Sequence, residues 1–446
     1  MEALDYLSYS FVGLLSKIRS SFDNFADLRS GQNISYSMGE LVLGGFSVFL
    51  FQNSSFLEQQ RLLQKRNGRS NYESLLGFSR IPGDGSIRSN LDEISPNSVF
   101  DSYDYVYKSL KDNNLFLPYA DKDLGYLISF DGTQTITSEK ICCESCNSRK
   151  LKNGNIQYYH ACVQPILSHP RQKEVIPLEA SFIESQTDCE KQDCELNAAK
   201  RWINTHLESW KTRLGKPITI IGDDLYAHEP FCNLLIDKGL NFVFVCKPDS
   251  HKHLYEEVEL RRKNQLLLSH QVATLAGKDT LHYQYRFTNE LEIRNATTKK
   301  NPALSVNWVE VTVTNQKNEQ VYYNAFITNR LITQENVVAI AAAGRNRWAI
   351  ENKAFNTLKN LGYHATHNFG HGKRHLANTL FALNMLAFLF HNFLIITSIA
   401  YNKILNNLPK KSDLWKHIMV LTQYFVFDSW LNLFQTIAQA LDLSLY

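Results

Sequence analysis

Little in this chain is extreme, and its shortages narrow its class. Charge of one sign is missing: 47 Lys and Arg stand against 44 Asp and Glu, a net +3 over 446 residues. Overall charge therefore does not announce a nucleic-acid partner, and any such surface must be a local patch. Internal repeats and long low-complexity tracts are missing as well, which argues against repeat architectures. Cysteine is missing from both flanks, since all eight fall between Cys142 and Cys246. A secreted disulfide scaffold would be shorter and more evenly stapled. The first residues, MEALDYLSYSFVGLLSKIR, have no basic n-region and no small-residue cleavage site, so no signal peptide is expected. Long apolar runs are scarce too. The exception, from Leu376 to Ala400, carries Asn378, Asn384, His391 and Asn392, which fits a buried helix better than a membrane span. These points lead to the expectation of a protein of the reducing cytoplasm with no membrane partner.

What is present is globular. Hydrophobic residues make up 44% and charged residues 20%, and the length suits about two to four domains. Residues 1–118 read as mainly helical. Leu4, Leu7, Phe11, Leu14 and Leu15 recur at helical spacing, a second helix follows Ser35, and Ser86 is expected to cap a third holding Ile87, Leu91 and Ile94. Strands are expected at Tyr126 to Thr137, Gln157 to Ile166 and Glu174 to Phe182. A helix around Ala198 to Trp210, a buried strand from Pro217 to Gly222, a short helix and another buried strand from Asn241 to Cys246 follow. This order fits a ribonuclease-H-like mixed sheet of the α/β class. Aromatic and β-forming segments between 256 and 330 read as an inserted β-subdomain, and helices resume to the end.

Three acidic residues stand out. Asp131 ends an apolar run in YLISFDGT, Asp223 ends another in ITIIGDD, and Glu351 lies in RNRWAIENKAFNTLKNLGY. Two strand ends and a late helix that deliver Asp, Asp and Glu can hold two divalent ions for phosphodiester chemistry. Asp223 is preferred to Asp224, whose side chain points the other way if the strand continues. Arg347, four residues before Glu351, shares its helical face and suits a DNA phosphate. Singly, each acid has a bland reading as a strand-end cap or a surface ion pair. Basic patches at Arg149–Lys152, Arg261–Lys263, Lys299–Lys300 and His371–His375 are each ordinary solvated surface or a DNA contact.

With these segments, FVFVCKPDSH around Lys247 and IPGDGSIRSNLDEI near the N-terminus, the chain resembles the DDE transposases of bacterial insertion sequences, in the cut-and-paste group with a β-rich insertion. The resemblance spans most of the chain, and the Glu351 segment is its most specific part. It implies a homodimer acting on double-stranded DNA at inverted-repeat ends in the bacterial nucleoid. Asp131, Asp223 and Glu351 would hold two Mg2+ or Mn2+ ions, and Arg347, Lys359 and Lys247 would contact DNA. Water would attack at the transposon end, and the freed 3′ hydroxyl would then attack target DNA. The family pattern is a Tyr, an Arg three residues later, the Glu, and a Lys seven beyond. Here Gly344 stands for the Tyr and Leu358 for the Lys. Lys359 comes one residue late, roughly 80° from the Glu351 face of an α-helix; an aromatic three residues after the second Asp is matched by Tyr226. The implied plan is a DNA-binding region at 1–118, a catalytic domain at 119–255 and 331–395, the insertion at 256–330, and a C-terminal helical region at 396–446.

A cysteine cluster lies within that plan. Cys143 and Cys146 form half of a zinc ribbon, with a basic loop after them. His160, Cys162, His169, Cys189 and Cys194 could complete a structural Zn2+ site in the hairpin 142–169, with His160 taken first. The alternative is a hairpin of reduced, partly buried thiols. Two other functions remain in view: a ribonuclease-H-type nuclease without strand transfer, and a domesticated relative that binds DNA without cutting.

Overall fold

The computed structural model describes residues 3–30, 34–184, 193–277, 279–293 and 303–444. It is mixed α/β, with helical regions at both ends of the chain. Six helices come first: α1 (Ala3–Phe22), α2 (Met38–Leu50), α3 (Phe56–Leu63), α4 (Arg66–Leu76), α5 (Asp84–Leu91) and α6 (Pro96–Asp112). Helix α2 begins at a capping box, in which the Ser37 hydroxyl accepts from the Glu40 N–H while the Glu40 carboxylate accepts from the Ser37 N–H. Gly83, not Ser86, is the residue before α5; Ser86 lies inside the helix and Ile94 beyond it.

Fourteen strands are described: β1 (Ala120–Asp121), β2 (Gly125–Ser129), β3 (Gly132–Ser138), β4 (Asn147–Lys150), β5 (Ile156–Val163), β6 (Ile166–Ser168), β7 (Ile176–Pro177), β8 (Ser181–Ile183), β9 (Ile218–Gly222), β10 (Asn241–Val245), β11 (Leu268–Ala276), β12 (Asp279–Ile293), β13 (Leu304–Thr314) and β14 (Gln320–Thr328). The larger sheet runs β11-β12-β13-β14-β10-β9-β2-β6-β7, with β1 paired to β2. Strand β2 is parallel to β9 and β9 to β10, while β6 and β7 are antiparallel. A second sheet runs β3-β5-β4, with β8 on β5.

Each of the three expected early strands is two strands. Tyr126 to Thr137 breaks at Phe130–Asp131, Gln157 to Ile166 at Gln164–Pro165, and Glu174 to Phe182 between β7 and β8. At each break the chain passes from one sheet to the other. Pro165 has no N–H to continue a ladder, and the Gln164 N–H turns to the Asp131 carbonyl at 3.1 Å. Asp131 therefore stands at the divergence of the two sheets. The expected insertion does not form a sheet of its own: β14 pairs antiparallel with β10, so the β11–β14 ribbon extends the central sheet.

Helices α7 (Glu195–Leu214), α8 (Glu229–Asp237), α9 (Lys252–Lys263) and α10 (Val337–Arg345) are interleaved with these strands. A π-helical turn (Ile350–Phe355) leads into α11 (Asn356–Asn360); α12 (Leu376–Thr397), α13 (Ile399–Asn406), α14 (Asp413–Tyr424) and α15 (Trp430–Ala440) complete the chain. The major core joins α1, α2, α6, α7 and α12 to one face of the sheet, and a second core packs α10 on the other. Helix α12 is long and apolar enough to cross a membrane, and 89% of its most apolar window is buried in the protein. Its polar residues have partners. Asn384 donates to the Tyr363 carbonyl at 2.8 Å, Asn392 to the Val175 carbonyl at 2.9 Å, and His391 Nδ1 lies 2.7 Å from the Tyr363 hydroxyl.

Candidate functional site

The parallel pair β2–β9 sets the first feature. Ser129 is opposite Ile221, and the Phe130 N–H still reaches the Ile221 carbonyl at 2.8 Å. Asp131 and Asp223 each lie two residues beyond that last pair, at the ends of neighbouring strands, and are close enough to interact electrostatically. Both are half-buried. Burial pushes the Asp131 carboxyl up to about 7; Arg347 pulls it down, while Glu195 and Asp223 push it up. A carboxyl held this way is relieved by a cation or a proton.

Glu195, a third carboxylate, is the first residue of α7. Burial raises its pKa, with Asp223 adding to the rise. The Tyr226 hydroxyl donates to Glu195 Oε1 at 2.7 Å. A Cβ on Gly132 would lie 2.2 Å from Glu195 Oε2, so only glycine lets this carboxylate approach the chain beside Asp131. Sequence reasoning missed Glu195, because an acid in a first helical turn is ordinary dipole complementarity.

Asp224 is engaged elsewhere. Its Oδ1 accepts the Lys247 N–H at 2.7 Å, its Oδ2 accepts the Ser250 hydroxyl at 2.5 Å, and His251 Nε2 is 3.5 Å from Oδ1. Burial would raise its pKa, but these partners hold it at about 2. Asp224 thus fastens the loop after β10, on which the Lys247 side chain is exposed. Asp223 caps the short turn that follows it, accepting from the Leu225 N–H at 2.9 Å.

Arg347 pairs with Asp131, Nη1 to Oδ2 3.6 Å, rather than with Glu351. Glu351 is exposed on the π-helical turn, and no contact joins it to either Asp among the described residues. Gly344 explains one departure from the family pattern: a Cβ there would lie 2.5 Å from the Phe326 ring, leaving no room for a Tyr. The π-turn alters another. An i→i+5 turn holds one residue more than an α-turn, so the eighth residue after Glu351 takes the angular place of the seventh. The displacement expected for Lys359 in an α-helix is largely removed. Its Nζ lies 5.5 Å from the Phe355 ring centre, while Leu358 is buried.

The second feature is a cluster of Cys143, Cys146, His160 and His371, whose ligating atoms lie within 4.8 Å of one another and could hold a metal such as zinc. The pKa of the Cys146 thiol is lowered by its contacts with Cys143, His160 and His371, whereas that of Cys143 is raised by its contact with Cys146. The other ligands considered lie apart from this cluster. Cys162 is buried in β5 with its thiol pushed up by burial, His169 faces Asp121 at 3.9 Å, and Cys194 is exposed at the start of α7. Cys189 lies outside the described residues. In the sequence His371 stands only as part of a basic patch. The spacing of CxxC gave no pointer to a partner 225 residues away.

Two of the basic patches are tied internally. Arg262 pairs with Glu310 at 3.0 Å, Arg261 with Glu257 at 2.6 Å, and Arg374 with Glu93 at 2.5 Å. Lys299 and Lys300 lie outside the described residues. No protein-family model and no curated protein matches the chain.

Proposed function

We propose that this chain is a DNA transposase that cleaves transposon inverted-repeat ends and joins them to target DNA. The observation that carries the reading is Asp131 and Asp223 at the ends of adjacent parallel strands, close enough to interact, with the Arg347 guanidinium against Asp131. The sheet order supports it too. Three antiparallel strands with the first central, then a helix and two parallel strands, is the order a ribonuclease-H-like catalytic domain requires, and the β11–β14 ribbon stands where the family's insertion falls.

The donors are hard carboxylate oxygens, which suit Mg2+ or Mn2+. When bound, two such ions activate the attacking oxygen and stabilise the leaving one. Asp131 and Asp223 would hold the ions, and Glu351, exposed on the π-helical turn, would be the third ligand. Glu195 remains a half-buried neighbour that adds negative charge behind them. Arg347, Lys247 and Lys359 bind backbone phosphates, and in this reading the enzyme works as a homodimer on paired ends. The helices of 1–118 grip the DNA end, and the ribbon within 256–330 handles the cleaved strand.

A marker flanked by the DNA that borders this gene, carried on a plasmid beside the expressed protein, tests the reading. Excision with reinsertion and a short target duplication is expected. Cleavage without reinsertion would favour a ribonuclease-H-type nuclease, and end binding without cleavage a domesticated relative.

A further inference from the structure

Three atoms of the Cys/His cluster come from one hairpin and the fourth from His371, 225 residues beyond Cys146, and five of their six separations are close to the edges of a tetrahedron. With zinc–sulfur bonds of about 2.3 Å and zinc–nitrogen bonds of about 2.05 Å, the edges would be about 3.8 Å between sulfurs, about 3.6 Å from sulfur to nitrogen and about 3.4 Å between nitrogens. The two Sγ atoms are 3.8 Å apart, three of the four sulfur–nitrogen separations are 3.3, 3.4 and 3.1 Å, and the two Nε2 atoms are 3.4 Å apart; the fourth, Cys143 Sγ to His371 Nε2, is within 4.8 Å. A disulfide would need its sulfurs at about 2.05 Å.

The surroundings are arranged for the same purpose. His160 Nδ1 lies 3.0 Å from Asn378 Oδ1, and Asn378 Nδ2 donates to Glu184 at 3.1 Å. With a proton on Nδ1, this leaves the His160 Nε2 lone pair facing the centre, the usual support of a metal-bound imidazole. Cys146, His160 and His371 are buried and Cys143 is partly so. Four protein donors leave no open position, which marks a structural rather than a catalytic site.

We propose that these side chains hold one zinc ion as a clasp between two parts of the chain, at a turn to which a third part is hydrogen-bonded. Cys143, Cys146 and His160 belong to the smaller sheet and its hairpin. His371 precedes α12, and the turn after it is bound from two sides. The Glu144 N–H donates to the Lys373 carbonyl at 3.0 Å and the Ser145 hydroxyl to the Arg374 carbonyl at 2.8 Å. From the N-terminal helices, the Asp92 carboxylate accepts the backbone N–H groups of Lys373, Arg374, His375 and Leu376. Gly372 has φ +70° and its Cβ would meet Asp92 Oδ1 at 2.2 Å, so this turn requires glycine. The ion closes a loop of 225 residues between Cys146 and His371, where cross-linking restrains the unfolded chain most. The clasp does not rest on the transposase reading.

Elemental analysis, zinc-edge X-ray absorption and hydrogen exchange on the full-length protein test it. We expect about one zinc per chain in a shell of two sulfurs and two nitrogens. Stripping the zinc with a chelator should speed exchange at least about tenfold in residues 143–150 and 369–376 together. His371→Cys should keep the zinc with three sulfurs and His371→Ala should lose it; if the alanine variant fails to fold, the cysteine variant and the wild-type spectrum carry the test. Protein without zinc, a shell lacking sulfur, or faster exchange in 143–150 alone would overturn the proposal.

Discussion

The two clusters of ligand-type side chains are built in opposite ways. The Cys/His cluster is closed: its four donor atoms already lie within 4.8 Å of one another, and packing and hydrogen bonds hold them there. The carboxylate site is open. Asp131 and Asp223 lie at neighbouring strand ends, but Glu351 is exposed and the Arg347 guanidinium stands against Asp131. Soft and borderline donors assembled in advance suit an ion that stays, and hard donors left partly apart suit ions that arrive with substrate. The first cluster is read as a fastening and the second as a reaction site.

The contrast breaks most visibly if the wrong site controls the wrong property. Asp131→Ala and Asp223→Ala should each lower DNA strand cleavage by about 10³-fold or more, because a ligand to the reacting ions is lost. Zinc content and melting temperature should stay near wild type. A drop in melting temperature matching that of a zinc-site variant would erase the distinction between the two clusters.

Asp224→Ala should do the reverse of Asp223→Ala. Removing the acceptor for Lys247, Ser250 and His251 should cost about 2–3 kcal/mol in denaturant unfolding, since their polar groups lose a charged partner. Cleavage should fall less than about tenfold, a modest effect beside the loss of an ion ligand. Cleavage abolished with stability intact would exchange the roles of the two neighbours.

Asp92 supplies a pH test of the fastened region. Burial raises its pKa, but the four backbone N–H donors outweigh this and hold it below its ordinary 3.8. The folded state therefore binds this proton less well than the unfolded chain does. The stability gained is fully present above the ordinary value and lost as pH falls through the folded one. Asp92→Asn should be less stable by about 2 kcal/mol near neutrality, and the gap should narrow below pH 3.8. A gap unchanged in acid would show that charge is not what holds the turn. The smallest expected effect belongs to Lys359→Ala, which should weaken DNA binding a few-fold and reduce the salt slope by about 1; an unchanged slope would remove Lys359 from the DNA surface.

The sequence makes local features legible and hides those that depend on the fold. Apolar runs ending in Asp131 and Asp223 mark strand ends directly, and CxxC marks Cys143 and Cys146. His371 is invisible as a ligand because only the packing of α12 brings it to the hairpin. Glu195 looks like any acid opening a helix until Gly132 admits it beside Asp131. Lys359 reads as misplaced because an α-helical twist is assumed, and nothing local announces the wider turn at Ile350–Phe355. The early strands read as continuous because β-forming residues persist across the sheet divergence. Pro165 was the available sign of a break.

The most direct test of the catalytic account is Glu351→Ala in Mg2+ on duplexes carrying the DNA ends that border the gene. Glu351 is the acid furthest from assembled and the most specific to the family resemblance. The account predicts that this variant binds the ends with near wild-type affinity, keeps its zinc, and gives no strand cleavage. Cleavage at a near wild-type rate would contradict it.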